Sequence, residues 1–351
     1  MKLLKKLLAA SLAVALIATG CKKSETQPVE LMGAGATFPM PLYQKMFDEY
    51  YQKTGTKINY QGIGSGGGIK QITAKTVDFG GTDAFLSDEK EKEIGSEIFH
   101  IPTSLGAVVV TYNIPGNPQL KFDSALLSDI FLGKIAKWND PKISALNPDA
   151  SLPDLNITVV SRADGSGTSF IFTDYLSKVS EEFATKIGRG NSVTWPVGIS
   201  GKGNPGVSGL VSQTSGAIGY VELIYALQNK MSYGIVKNKS GNFVTPSLES
   251  TSASAQVEIP DHTKASITDT DAPDGYPISS FTWILIYKEQ NYNERSQAVA
   301  KALVDALWWM THEGQTICST LDYAPLPVKA VEKVENLLKS VTYDGKKLIK
   351  K

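Results

Sequence analysis

Cysteine is scarce in this chain. Only Cys21 and Cys318 occur among 351 residues, which excludes a disulfide framework. Cys318 reads as a small buried apolar residue. Histidine is equally thin. His100, His262 and His312 are scattered and lack a metal-binding spacing. His312-Glu313 opens like a zincin motif, but Thr316 stands where the second histidine belongs, so His312 reads as a helix C-terminal residue. The chain has no nucleotide-binding P-loop: Gly201-Lys202-Gly203 lacks the following hydroxyl residue. No serine has nucleophile-elbow surroundings, since Ile63 lies two before Ser65 and Asp164 two before Ser166. With no nucleophile, base or metal set in view, an enzyme is not expected, and neither a metal nor a cofactor is called for.

Excess charge of one sign is missing too. There are 35 basic and 35 acidic residues. Three of the bases, Lys2, Lys5 and Lys6, fall in the first 20 residues, where there is no acid; 35 less those three leaves 32 bases against 35 acids. A slightly acidic chain is a poor partner for nucleic acid. It also cannot gather anions by its overall field, so any anion site must be local.

Long hydrophobic runs are absent: Leu7–Ala18, about twelve residues, is too short to span a bilayer. Preceded by the basic Met1–Lys6 and closed by Gly20-Cys21, it reads as a targeting segment. Ala18-Thr19-Gly20-Cys21 is similar to a bacterial lipoprotein signal, with Ala18 in place of the usual Leu. The expectation is a signal peptide over 1–20, lipid on Cys21 and a polar tether over 21–29.

What remains is rich in glycine at turns and in alternating elements. Helical periodicity marks Pro41–Gln52, Gly68–Ala74, Asp88–Ile94, Phe170–Val179 and Ser296–His312. Strand patterns mark Ala107–Tyr112, Asn156–Val160, Ala217–Tyr220 and Phe281–Tyr287. Interleaved helices and short apolar strands predict an α/β fold. Short extended segments at Pro102–Gly106 and Pro277–Thr282 flank a central block and suggest two crossings between lobes. Ser240–Pro273 is polar and weakly periodic and reads as surface loops with a short helix. Trp308 and Trp309, at helical spacing with Leu303 and Leu307, read as core, and the basic tail Lys346–Lys351 as frayed.

Three segments repeat one local logic. Ile157–Val160 runs as a strand into Arg162-Ala163-Asp164, then Gly165, Ser166, Gly167, Thr168 and Ser169. A helix follows with Ile171, Phe172, Tyr175, Leu176 and Val179 on one face. Leu31–Ala36 runs into Thr37-Phe38-Pro39, with proline near a helix start. Lys57–Gln61 ends in a glycine-rich turn with Ser65 before Gly66, Gly67 and Gly68. A further strand-like run, Val77–Gly81, ends at Thr82-Asp83. The first N–H groups of a helix lack intrahelical partners and favour negative charge. Hydroxyls add donors, and Arg162 offers a fork for two oxygens of an oxyanion such as phosphate or a carboxylate. In open α/β sheets, strand ends are where ligands bind.

With those residues placed, the chain resembles the periplasmic phosphate-binding proteins of bacterial ABC phosphate importers, the PstS family. The resemblance is carried by GAGATFP (Gly33–Pro39), NYQGIGSGGGIKQI (Asn59–Ile72), VDFGGTDAFLSDEK (Val77–Lys90) and LGKIAKWND (Leu132–Asp140). It continues through RADGSGTSFIFTDYL (Arg162–Leu176), GKGNPGV (Gly201–Val207), GAIGYVE (Gly216–Glu222) and LDYAPLP (Leu321–Pro327). It implies the type II bilobal clamp, with two mixed-sheet lobes joined by a two-strand hinge: residues 30–103 with 281–351 as lobe I and 104–280 as lobe II. It also implies a phosphate shell of Thr37, Phe38 (through its backbone N–H), Ser65, Asp83, Arg162, Ser166, Gly167 and Thr168, with Asp164 holding the plane of Arg162. Gly66 departs from the pattern, where a second serine is common. The implied partners are inorganic phosphate and an inner-membrane permease with its ATPase subunits. A monomer is expected, on the extracytoplasmic face of the cell envelope and anchored through Cys21.

The residue types suit such a ligand. Phosphate at neutral pH still carries a proton, whereas sulfate does not. A carboxylate is acceptor-only, so Asp83 can face a phosphate O–H but meets sulfate lone pair against lone pair, at a cost of several kcal/mol. Thr37, Ser65 and Asp83 are expected on one lobe and Arg162–Thr168 on the other, so that only closure completes the shell. Other readings are a different tetrahedral oxyanion (arsenate shares phosphate's protonation), a secreted phosphatase, which needs a nucleophile and base or metals, and a surface adhesin or sensor reusing the clamp.

Overall fold

The computed structural model describes residues 29–349. The signal segment, Cys21, the tether up to residue 28 and the last two lysines lie outside the described residues.

Strands β1 (Glu30–Gly35), β2 (Lys57–Gly62) and β3 (Phe79–Thr82) alternate with helices α1 (Met40–Thr54) and α2 (Ser65–Thr73). They pair in parallel, β1 between β2 and β3. Strand β4 (Ile98–Tyr112) follows. Strand β5 (Thr158–Arg162) leads into α3 (Gly167–Val179), β6 (Ile199–Gly201) into α4 (Gly203–Gln213), and β7 (Ala217–Glu222) into the short helix Leu223–Gln228. Strand β8 (Ser279–Tyr287) then precedes α5 (Gln297–Thr311). The strands form one nine-stranded mixed sheet in the order β2-β1-β3-β8-β4-β7-β5-β6, with Ser232–Tyr233 beside the end of β4.

The path turns on β4. Its first part, Ile98–Ala107, lies antiparallel to β8; its last part, Val108–Tyr112, lies antiparallel to β7. Every residue of β4 and β8 is buried, as continuous apolar strands covered on both faces are. The sequence pattern marked only Ala107–Tyr112 as a strand and treated Pro102–Gly106 as a separate extended segment. In the structure both belong to one strand. Pro102 is accommodated because the register shifts there: Thr282 pairs with Ser104 and Trp283 with Pro102, leaving Thr103 as an extra residue. Pro277–Thr282 likewise runs into β8.

Two helices begin earlier than apolar periodicity indicates. The α2 helix starts at Ser65 and α3 at Gly167, capped by the Ser166 side chain, which accepts from the Ser169 N–H at 3.0 Å. Glycines carry no hydrophobic signal; the Ser166 cap sets the first turn of α3, whereas α2 begins after Gly64 with no side-chain cap. The C-terminal tail also differs from expectation. Lys346–Lys347 pairs with Thr342–Tyr343, through an Asp344-Gly345 turn with φ of 50° and 69°. That is a hairpin signal, and Leu348 beyond it is buried. Trp309 is buried among Leu303 and Leu307. Trp308 is only partly covered and stacks on His312, which caps α5. Cys318 is fully buried, and burial pushes its thiol up to about 12. No helix among the described residues is long and apolar enough to cross a membrane.

Candidate anion-binding site

The residues singled out in the sequence follow the C-terminal ends of parallel strands: Thr37 and Phe38 after β1, Ser65 after β2, Asp83 after β3, and Asp164 to Thr168 after Arg162, the last residue of β5. They come from both stretches of the sheet and meet in one buried cluster. Thr37, Ser65, Asp83, Arg162, Ser166 and Thr168 are all buried. Glycines allow the approach. The Gly66 N–H donates to the Gly165 carbonyl at 2.8 Å, and a Cβ on Gly66 would stand 3.0 Å from the Gly165 Cα. The departure at Gly66 therefore coincides with a point of backbone contact.

Arg162 is locked. Its Nε donates to Asp164 Oδ1 at 2.9 Å and its Nη2 to Oδ2 at 2.6 Å, and its Nη1 donates to Thr168 Oγ1 at 3.2 Å. A guanidinium has five N–H donors, so one hydrogen on each Nη remains for a ligand. Burial alone would raise the Asp164 carboxyl, but the hydrogen bonds and charge of Arg162, with the Gly203 N–H at 2.9 Å, outweigh it and hold it below the usual carboxylate range.

Asp83 is the opposite case. Burial pushes its carboxyl up to about 7, against the hydrogen bond from Thr282, the charge of Arg162 and the hydroxyl of Ser65. Thr282 Oγ1 donates to Oδ1 at 2.7 Å. Oδ2 has only Ser65 Oγ, at 3.5 Å. Asp83 thus places one under-used acceptor among donors. Ser65 Oγ accepts from the Gly167 N–H at 3.0 Å and from the Asp83 N–H at 3.2 Å.

Several contributors were not picked out in the sequence. Asn204, at the start of α4, is fully buried and bonds to both Thr37 and Thr168. Tyr225 OH donates to the Thr37 carbonyl and Tyr323 OH to the Phe38 carbonyl, each at 2.6 Å. Glu222 is buried beside them, and burial raises its carboxyl well above the usual range. Asn204 was within reach, because GKGNPGV repeats the strand, glycine turn and helix start of the other loops. Thr282 gave no local signal, since its contact with Asp83 spans 199 residues.

Among the described residues no three His, Cys, Asp or Glu side chains stand close enough to hold a metal ion. Charge in the cluster comes from a neutralised Arg162–Asp164 pair, from helix N-termini and, above about pH 7, from the Asp83 carboxylate. Such a site draws an anion through helix dipoles and hydrogen-bond donors rather than through an excess of positive charge.

Known proteins resemble this chain over most of its length. Residues 22–307 match the PBP superfamily domain. The chain is 42% identical over 330 residues to the phosphate-binding protein PstS of Pasteurella multocida, covering 92% of this chain and 94% of that one. It is 45% identical over 318 residues to PstS of Xylella fastidiosa, covering 89% and 85%. In fold it is similar to the crystal structure of a phosphate-binding protein from Stenotrophomonas maltophilia, with a TM-score of 0.67 at 19% identity over 88% of this chain and 93% of that one. The sheet that turns on β4, the loops gathered at its strand ends and near-full-length identity to such relatives make one case: this chain belongs to the PstS family of phosphate-binding proteins.

Proposed function

We propose that the chain binds inorganic phosphate in this cluster and delivers it to an ABC-type importer. The observation that carries the reading is Asp83 Oδ2, an acceptor with room for a proton, set among hydroxyl, amide and guanidinium donors. The relatives named PstS are phosphate-binding proteins, which supports the same ligand. The ligating set is Thr37, Phe38, Ser65, Asp83, Arg162, Ser166, Gly167 and Thr168, with Asp164 orienting Arg162. Residues 30–103 with 281–351 act as one lobe and 104–280 as the other, and closure completes the shell. A ligand shifts an open–closed balance only through contacts better made in the closed form, and these loops supply them.

The protein acts as a binding component rather than an enzyme, as a monomer on the extracytoplasmic face of the envelope, tethered through lipid on Cys21. Its partner is a permease with ATPase subunits. Calorimetric titration at about pH 8 of the purified chain, freed of endogenous ligand, tests the ligand: phosphate is expected to bind and sulfate to bind at least about tenfold more weakly. Equal uptake of both, or of neither, removes the reading. Labelling with a radioactive fatty acid tests the anchor. Label that survives Cys21→Ser would dismiss it.

A further inference from the structure

Resting on the phosphate reading, we propose that Asn204 is a positioning residue that turns the Thr37 and Thr168 hydroxyls into donors toward the anion.

A hydroxyl has one hydrogen and two lone pairs. Left to itself it can present either. Thr37 Oγ1 accepts from both the backbone N–H and the Nδ2 of Asn204, each at 3.0 Å. Thr168 Oγ1 accepts from Asn204 Nδ2 at 3.1 Å and from Arg162 Nη1 at 3.2 Å. Both lone pairs of each oxygen are occupied, so only the hydrogens remain to be presented. One side chain performs this twice, because the Nδ2 group has two hydrogens.

The orientation of the amide is itself fixed. Asn204 Oδ1 lies 3.0 Å from the backbone N–H of Glu222, a group that can only donate. An amide turned the other way would face N–H against N–H there. It would also offer a carbonyl oxygen to Thr37 and Thr168 and draw their protons inward. The Glu222 backbone therefore sets the Asn204 amide, and the amide sets two hydroxyls that come from opposite stretches of the sheet. Ser65 shows the same polarity by a different route, accepting from two backbone N–H groups. Asp83 is left as the acceptor that senses a ligand proton, among hydroxyls that only donate.

The test is the near-isosteric Asn204→Asp, which replaces the donor by an acceptor, with Asn204→Ala alongside. Phosphate affinity is measured by calorimetry for the unsubstituted chain and both variants at about pH 8 and about pH 5.5, with thermal melts of the ligand-free proteins. Reversing two hydroxyls costs two charge-assisted hydrogen bonds, so Asn204→Asp is expected to bind about a hundredfold more weakly at the higher pH. Acid returns a hydrogen to the new carboxyl, so its deficit relative to the unsubstituted chain narrows severalfold at the lower pH. Asn204→Ala, which frees the hydroxyls without reversing them, is expected to lose about tenfold at both. A deficit in Asn204→Asp that is the same at both pH values marks a merely structural role and overturns the proposal, as does affinity within about threefold of the unsubstituted chain. If Asn204→Asp does not fold, unimpaired binding by Asn204→Ala overturns it. Failure of the unsubstituted chain to bind phosphate removes the functional reading itself; tight binding by that chain and by Asn204→Asp alike removes only the role of Asn204.

Discussion

Thr282 Oγ1 donates to Asp83 Oδ1 at 2.7 Å, joining β8 to the loop after β3 across 199 residues of chain. The bond occupies one carboxylate oxygen and leaves the other directed at Ser65. It also opposes the burial that lifts the Asp83 carboxyl to about 7. Thr282 therefore tunes the carboxyl to which the proposed ligand discrimination is assigned.

Replacing Asp83 by Asn is expected to reduce phosphate-over-sulfate selectivity by about tenfold at about pH 8, and by more at higher pH, because an amide can donate to an unprotonated oxygen. The same change should stabilise the ligand-free protein. The folded state holds the Asp83 proton up to about pH 7, whereas the unfolded chain releases it near 3.8, the ordinary value of an aspartate. Stability therefore falls as pH rises between those values and stays low above them. Asn carries no such slope. The difference is about 4 kcal/mol at most, so the Asp83→Asn melt should lie several degrees above the unsubstituted one at about pH 8, with the gain gone at about pH 4. A variant melting no higher at pH 8 would contradict the burial argument.

Sulfate binding should depend on pH through the same group. Above about pH 7 Asp83 is ionised and opposes a deprotonated oxyanion; below it the protonated carboxyl donates. Sulfate affinity is expected to fall about tenfold per pH unit above 7 and to level off below it. Phosphate should vary far less, because its own proton can serve. Thr282→Val removes the hydrogen bond that opposes burial, so the break should move to higher pH. A calorimetric series in pH with both anions checks this; a sulfate affinity that ignores pH would rule it out.

Much of this site was legible along the chain because its parts are local. A strand, a small-residue turn and a helix start leave their marks within a dozen residues, and Arg162, Asp164, Ser166 and Thr168 lie in one such stretch. The alternation of elements made the α/β class equally readable. The connecting pieces were harder. Pro102–Gly106 read as a separate extended segment, and only the partner strand's register explains how β4 keeps Pro102. Thr282 and Tyr323 act on residues far away in sequence, so no window could announce them. Asn204 sat in a motif whose glycines drew attention while its amide did not.

Cys318 should be chemically silent in the folded protein. It is fully buried, and burial raises its thiol to about 12, so thiolate is scarce at neutral pH. A maleimide is expected to leave it unmodified under native conditions and to label it after denaturation, read by mass spectrometry on a Cys21→Ser background. Rapid native labelling would show that the C-terminal region opens locally.

Gly64 and Gly66 should respond differently to a side chain. Gly64 has φ of 86° and stands where a Cβ would lie 2.1 Å from Asp164 Oδ2. Gly64→Ala therefore imposes a left-handed backbone on alanine, about 1 kcal/mol or more, and pushes Asp164 off Arg162. Loss of that two-bond grip frees the guanidinium plane, and phosphate binding should weaken by tenfold or more. Gly66 has no such φ, and its added Cβ meets the Gly165 Cα at 3.0 Å and its carbonyl oxygen at 3.3 Å. A shift of a few tenths of an ångström in that loop relieves the contact, so Gly66→Ser should keep affinity within a few fold and leave the fold intact. Calorimetry on both variants, with melting curves, separates the two. If Gly66→Ser proved as damaging as Gly64→Ala, the meeting of Gly66 with Gly165 would have to be a rigid contact, with closure depending on bare backbone at both positions.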